Sequence, residues 1–97
     1  MRVISKRTLR DFWQLHPQAE QPLKAWHQEA DKAEWRGPAA VKERFPSASV
    51  LAGNRVVFNI GGNKYRLVVQ INYAYQVVYV RFVGTHAQYD AIDAEQV

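Results

Sequence analysis

The chain has 97 residues, 47% hydrophobic and 12% aromatic, enough for one hydrophobic core and too few for two. It contains no Cys, which excludes disulfides, thiolate zinc sites, iron–sulfur clusters and a cysteine nucleophile. The formal charge of +4 is unevenly spread: Arg44 to Tyr89 carries Arg44, Arg55, Lys64, Arg66 and Arg81 but no Asp or Glu, so that region presents a positive field to an anionic partner.

Charges at Arg2, Lys6, Arg7, Arg10 and Asp11 leave no apolar signal-peptide core near the start, and no stretch approaches membrane-spanning length. A single cytoplasmic domain over residues 1–97 is expected. Arg2–Ile4 reads as a short first strand, and Ser5 follows as a helix N-cap. The helix runs to about His16, with Leu9, Phe12 and Trp13 on one face, and Pro17 ends it. A second helix begins near Pro22 and carries the apolar stripe Leu23, Trp26, Ala30 and Ala33. Gly37-Pro38 breaks it, Ala39 to Phe45 forms a further short turn of helix, and Pro46-Ser47 closes the helical half.

The remainder reads as strands. Val56, Phe58 and Ile60 alternate with Val57 and Asn59, and Gly61-Gly62-Asn63 makes a tight hairpin turn suited to positive φ. Lys64 to Asn72 follows, with Tyr65, Leu67, Val69 and Ile71 on one face. After a turn at Tyr73–Gln76, Val78, Val80 and Phe82 continue that face. The expected fold is α+β, with two N-terminal helices packed on a small antiparallel β-meander.

Pairing Ile71 with Val78 sets Val69 opposite Val80, Leu67 opposite Phe82 and Val68 opposite Arg81, which makes Arg66 and Arg81 diagonal neighbours on the face away from the helices. Two guanidiniums with no carboxylate nearby in sequence suit phosphate capture or stabilisation of a charged phosphorane, although either alone also fits a solvated strand. Gly84 ends the strand and Thr85 caps one or two helical turns, which puts His86 and Tyr89 on one side of the turn, close to the arginines. His86 and Tyr89 offer a proton donor and acceptor there, and each alone also reads as a loop histidine and a packing aromatic. Arg44, Arg55 and Lys64, with Asn63 in the hairpin, are the further candidate nucleic-acid contacts. His16 and His27 lie in the helical half at no spacing that makes a metal site with His86, so neither metal nor cofactor is expected.

The stretch Phe58-Asn59-Ile60-Gly61-Gly62-Asn63-Lys64-Tyr65-Arg66-Leu67, followed by Tyr79-Val80-Arg81-Phe82-Val83-Gly84-Thr85-His86-Ala87-Gln88-Tyr89-Asp90, resembles toxins of the HigB family in the RelE-like superfamily of toxin–antitoxin systems. The opening Met1-Arg2-Val3-Ile4 and the segment Arg44-Phe45-Pro46-Ser47 also fit, so the similarity spans essentially the whole chain. It rests on the patterns Asn-x-x-Gly-Gly-Asn-x-x-Arg and Thr-His-x-x-Tyr-Asp occurring together; here Asn59 stands one residue closer to Gly61. The resemblance implies a RelE-like fold and an mRNA interferase that enters the ribosomal A site and cuts translated message. It implies metal-free attack by the message's own 2′-hydroxyl, with Arg66 and Arg81 neutralising the scissile phosphate and His86 and Tyr89 moving protons, which of them is base and which acid remaining open. It further implies a HigA-type helix-turn-helix antitoxin as partner. A non-catalytic RNA- or ribosome-binding module and a gyrase-poisoning toxin of the same fold are the competing readings, and the scarcity of exposed aromatics on the strand face, where only Tyr79 offers a stacking surface, favours the nuclease.

Overall fold

The computed structural model describes residues 1–97. Strand β1 (Arg2–Ile4) leads into helix α1 (Lys6–Leu15). Ser5 stands at the N-cap position, but its φ of 81° is left-handed and its side chain makes no cap bond, so it turns the chain rather than capping it. Helix α1 buries Leu9 and Phe12 and leaves Trp13 half-buried against the core. A single turn of 3₁₀ helix, Pro17–Ala19, runs directly into α2 (Glu20–Lys32), which therefore starts earlier than Pro22. Pro22 is tolerated because first-turn N–H groups lack helical partners in any case. Leu23, Trp26 and Ala30 form the buried stripe of α2, and the Met1 ammonium donates to the carbonyls of Ala30, Asp31 and Ala33 at its C-terminal end. Cationic donors there satisfy carbonyls that the helix cannot and oppose its dipole. Helix α3 (Pro38–Arg44) follows Gly37 and buries Val41.

Strands β2 (Ser49–Leu51), β3 (Arg55–Ile60), β4 (Tyr65–Asn72) and β5 (Val77–Thr85) complete a five-stranded sheet of order β1-β5-β4-β3-β2. The expected antiparallel meander is its centre. Sequence periodicity did not place β2, which adds antiparallel to β3, nor the parallel pairing of β1 with β5, which makes the sheet mixed. Val56, Phe58, Ile60, Leu67, Val69, Ile71, Val78 and Val80 meet the helices in one main core. Phe58 is the hub of its aromatic part: Trp26 packs edge-on at 5.4 Å, Phe45 edge-on at 5.1 Å and Trp35 stacks at 6.3 Å.

The register between β4 and β5 differs from the expected one at a single point. Ile71 opposes Val78 and Val69 opposes Val80 as expected, but Val68 opposes Phe82, Leu67 opposes Val83 and Arg66 opposes Gly84. Arg81 is the extra residue of a β-bulge. Side-chain parity flips beyond it, so Val83 packs against the helix-side core, while Phe82 joins Val57 and Val68 on the opposite face. Gly84 makes this possible: a Cβ there would lie 2.6 Å from the Phe82 ring and 2.9 Å from Gln88 Oε1.

Candidate active site

The face of the sheet away from the helices carries the candidate site. Its middle is covered by the C-terminal segment, where Ala94 is buried against Val57 and Val68, and Ile92 and Val97 pack beside them. Arg55 Nε and Nη2 both donate to Val97 O, at 3.0 and 2.7 Å, so Arg55 ties this segment down. This cover is absent from the sequence-based expectation. Its only sequence signal is the apolar spacing Ile92, Ala94 and Val97 among polar residues.

At one end of the face stand Asn63, Arg66, His86 and Tyr89. The β3–β4 hairpin bends through positive φ at Gly61, Gly62 and Asn63, as the turn chemistry requires. Beyond it Tyr65 pairs with Thr85, which brings the hairpin next to helix α4 (His86–Asp90). Thr85 caps α4 through a reciprocal capping box: Gln88 N donates to Thr85 Oγ1 at 3.2 Å, and Thr85 N donates to Gln88 Oε1 at 2.8 Å. That box fixes the direction in which α4 leaves the sheet. Tyr89 packs half-buried against the Val57–Val68 cluster, and His86 is exposed at the start of the helix. The Arg66 guanidinium lies over the Tyr89 ring, with Cζ 6.0 Å from its centroid. Arg66 Nη1 makes only two long bonds, both 3.4 Å, to Asn63 O and Tyr65 O, so most of its donor capacity is open.

Arg81 is on the same face but is not the diagonal neighbour of Arg66. The bulge puts Phe82 between them, and the Arg81 side chain turns the other way: Nε and Nη2 donate to Gln70 Oε1 at 3.2 and 2.7 Å, and Cζ lies 5.8 Å from the Tyr79 ring centroid. Along β5 it lies three residues from Gly84, opposite Arg66, roughly 10 Å at the usual rise per strand residue. The expected single arginine patch is thus two separate sites.

The other candidate contacts are dispersed. Arg44 grips Glu29 on the helix side, where the shared hydrogen bond and charge hold the Glu29 carboxyl below the usual carboxylate range. Lys64 reaches Gln18 at 3.1 Å. The ion pairs are Arg7–Asp11, Lys24–Glu20 and Arg44–Glu29, so neither Arg66 nor Arg81 is neutralised by a carboxylate. No group of three or more His, Asp or Glu side chains is arranged to hold a metal ion. No helix is long and apolar enough to cross a membrane.

Residues 19–92 match the family model for HigB_toxin, the RelE-like toxic component of a toxin–antitoxin system. The chain belongs to the HigB toxin family. It is 32% identical over 96 residues to the mRNA interferase toxin HigB of Escherichia coli K12, an alignment that covers 97% of this chain and 92% of that one. The mRNA interferase HigB of Shigella flexneri is equally similar, at 32% over the same shares. A HigB from Escherichia coli O6:H1 is 22% identical over 94 residues, covering 95% of this chain and 91% of its own length. The HigB match runs through the hairpin, both arginine strands and α4, so every element of the candidate site lies within it.

Proposed function

We propose that this HigB-family toxin is an endoribonuclease that cuts messenger RNA, with Arg66, His86 and Tyr89 acting at the scissile phosphate and Arg81 holding the strand further along the sheet. The observation that carries the reading is the Arg66–Tyr89 pair beside His86: an un-neutralised guanidinium and two proton-bearing groups at one exposed end of the sheet. Similarity to proteins named mRNA interferases supports the substrate.

The reaction is attack by the 2′-hydroxyl oxygen on the adjacent phosphorus. A base takes the 2′ proton, the P–O5′ bond breaks, an acid protonates the departing 5′ oxygen, and a 2′,3′-cyclic phosphate remains. His86 and Tyr89 are the base and acid between them. The open donors of Arg66 meet the charge that builds on the non-bridging oxygens. The message is presented in the ribosomal A site, and a HigA-type helix-turn-helix antitoxin silences the toxin.

The test is purified protein with programmed ribosomes and a message carrying one 2′-deoxy nucleotide at the cut site. Normal message is expected to be cleaved and the deoxy message to resist. Tight ribosome binding with intact normal message would replace the nuclease with a non-catalytic binder, and normal cleavage of the deoxy message would replace the nucleophile.

A further inference from the structure

We propose that Tyr79, Arg81 and Gln70 form a nucleobase-binding subsite, which takes one base of the RNA strand near the cut and is separate from the groups that break the bond. The inference rests on the RNA-cleaving reading above and assigns that substrate a second point of capture.

The subsite is organised before any ligand arrives. Tyr79 opposes Gln70 across β5 and β4, so both stand on the face away from the helices, and Tyr79 is 36% exposed, one of few large aromatics so placed. Arg81 lies over that ring and grips Gln70 Oε1 with two donors. Gln70 Nε2 in turn donates to Gly53 O at 3.3 Å, so the amide that holds the guanidinium is oriented at both ends. Arg81 then keeps three of its five N–H hydrogens free, by the donor inventory of a guanidinium. A flat, exposed guanidinium–phenol pair is a surface on which any base stacks.

Polar groups that suit a base edge adjoin it. A cleft of about 340 Å³ is lined by Asn54, Gln70, Asn72 and the Ile71–Ala74 chain. Asn72 Oδ1 accepts from Tyr75 N at 3.0 Å, which leaves its amide hydrogens for a ligand acceptor. The bulge at Arg81 sets Phe82 opposite Val68, between Arg81 and Arg66, and the guanidinium turns toward Gln70. Strand pairing alone does not require an exposed tyrosine, a bulged arginine and an amide locked at both ends to converge.

Single-turnover and steady-state cleavage of an oligoribonucleotide, free and on programmed ribosomes, tests this with an abasic site moved through the nucleotides flanking the cut. Removing the base keeps the phosphate, so the scan separates base recognition from simple charge. One position is expected to raise KM about tenfold or more, the scale of one lost stacking contact. Tyr79→Ala is expected to show a similar rise on normal RNA, in KM rather than kcat, and no additional rise on that abasic RNA. Tyr79→Phe, which keeps the flat ring, is expected to recover most of it. If Tyr79→Ala leaves KM unchanged, or multiplies the loss at every abasic position alike, the subsite is overturned while cleavage of normal RNA preserves the proposed function. If the wild-type protein cuts no RNA in either format, both readings fall.

Discussion

The Arg66 guanidinium rests over the Tyr89 ring, its Cζ 6.0 Å from the centroid, and both groups belong to the end of the sheet that α4 closes. If Arg66 stabilises charge on the phosphate, Arg66→Ala is expected to lower kcat by about 10²–10³, with Arg66→Lys recovering only part because it loses the planar fork. Tyr89→Phe keeps the packing and the ring under Arg66 while removing the hydroxyl, so a loss of about 10²–10⁴ with an unchanged melting temperature assigns the hydroxyl to proton transfer. Wild-type rates for both Tyr89→Phe and His86→Ala would mean that other groups move the protons.

Arg44 is held by Glu29 on the helix side, away from the other candidates. Arg44→Ala is therefore expected to leave cleavage rates within a small factor of wild type, in contrast to the large loss in Arg66→Ala. A comparable loss in both would place the RNA on the helix side as well.

Gly84 leaves no room for a side chain beneath the Phe82 ring and beside Gln88. Gly84→Ala is expected to cost about 1–3 kcal/mol by overpacking. Because Gln88 is half of the capping box on Thr85, the substitution is also expected to displace α4 and lower kcat. Chemical denaturation and cleavage kinetics measure the two effects, and full activity at reduced stability would show that α4 tolerates the shift.

Phe58 is almost fully buried among Trp26, Trp35 and Phe45. Phe58→Ala is expected to destabilise the fold by about 3–5 kcal/mol. A cost under about 1 kcal/mol in denaturant titration would mean that the aromatic cluster closes over the cavity.

Burial, reinforced by the nearby Lys6 charge, holds the His27 imidazole below its ordinary 6.5, although Asp31 pulls the other way. The unfolded chain then binds the proton more tightly, so this contribution to stability is present above the unfolded value of 6.5 and is lost as pH falls below it through the lower folded value. Glu29 acts in the same direction below its ordinary 4.5, because Arg44 favours its ionised form. Stability is expected to rise from acid to neutral pH, and His27→Gln to flatten the upper part of that slope; an identical pH profile in the variant would exclude His27 as its source.

The helices, the hairpin and α4 were legible because each carries a local signal: Pro17, the Leu23–Trp26–Ala30 stripe, Gly61-Gly62-Asn63, and Thr85 as an N-cap after Gly84. The pairings up to Val69 and Val80 also followed from alternation. Alternation cannot register an extra residue, and Val80-Arg81-Phe82-Val83 suits either face. The bulge depends on Gly84 admitting the Phe82 ring, a demand made through space. The separation of Arg81 from Arg66 was hidden for that reason. Strand β2 and the C-terminal cover are too short for periodicity to reveal, and the partner of β1 lies at the far end of the chain.

That last pairing joins the two most distant strands of the chain. Arg2, Val3 and Ile4 are separated from their neighbours Val77, Val78 and Tyr79 by helices α1 to α3 and strands β2 to β4. Closing so long a loop is entropically slow, and the shorter-range anchor at that end is the Met1 ammonium on the carbonyls that end α2. A nascent chain therefore carries its first strand unpaired while helices α1 to α3 form, and Tyr79 gains its neighbour Ile4 only once β5 has been made. The face that carries Tyr79 and Arg81 is therefore complete only when β5 is seated between β1 and β4.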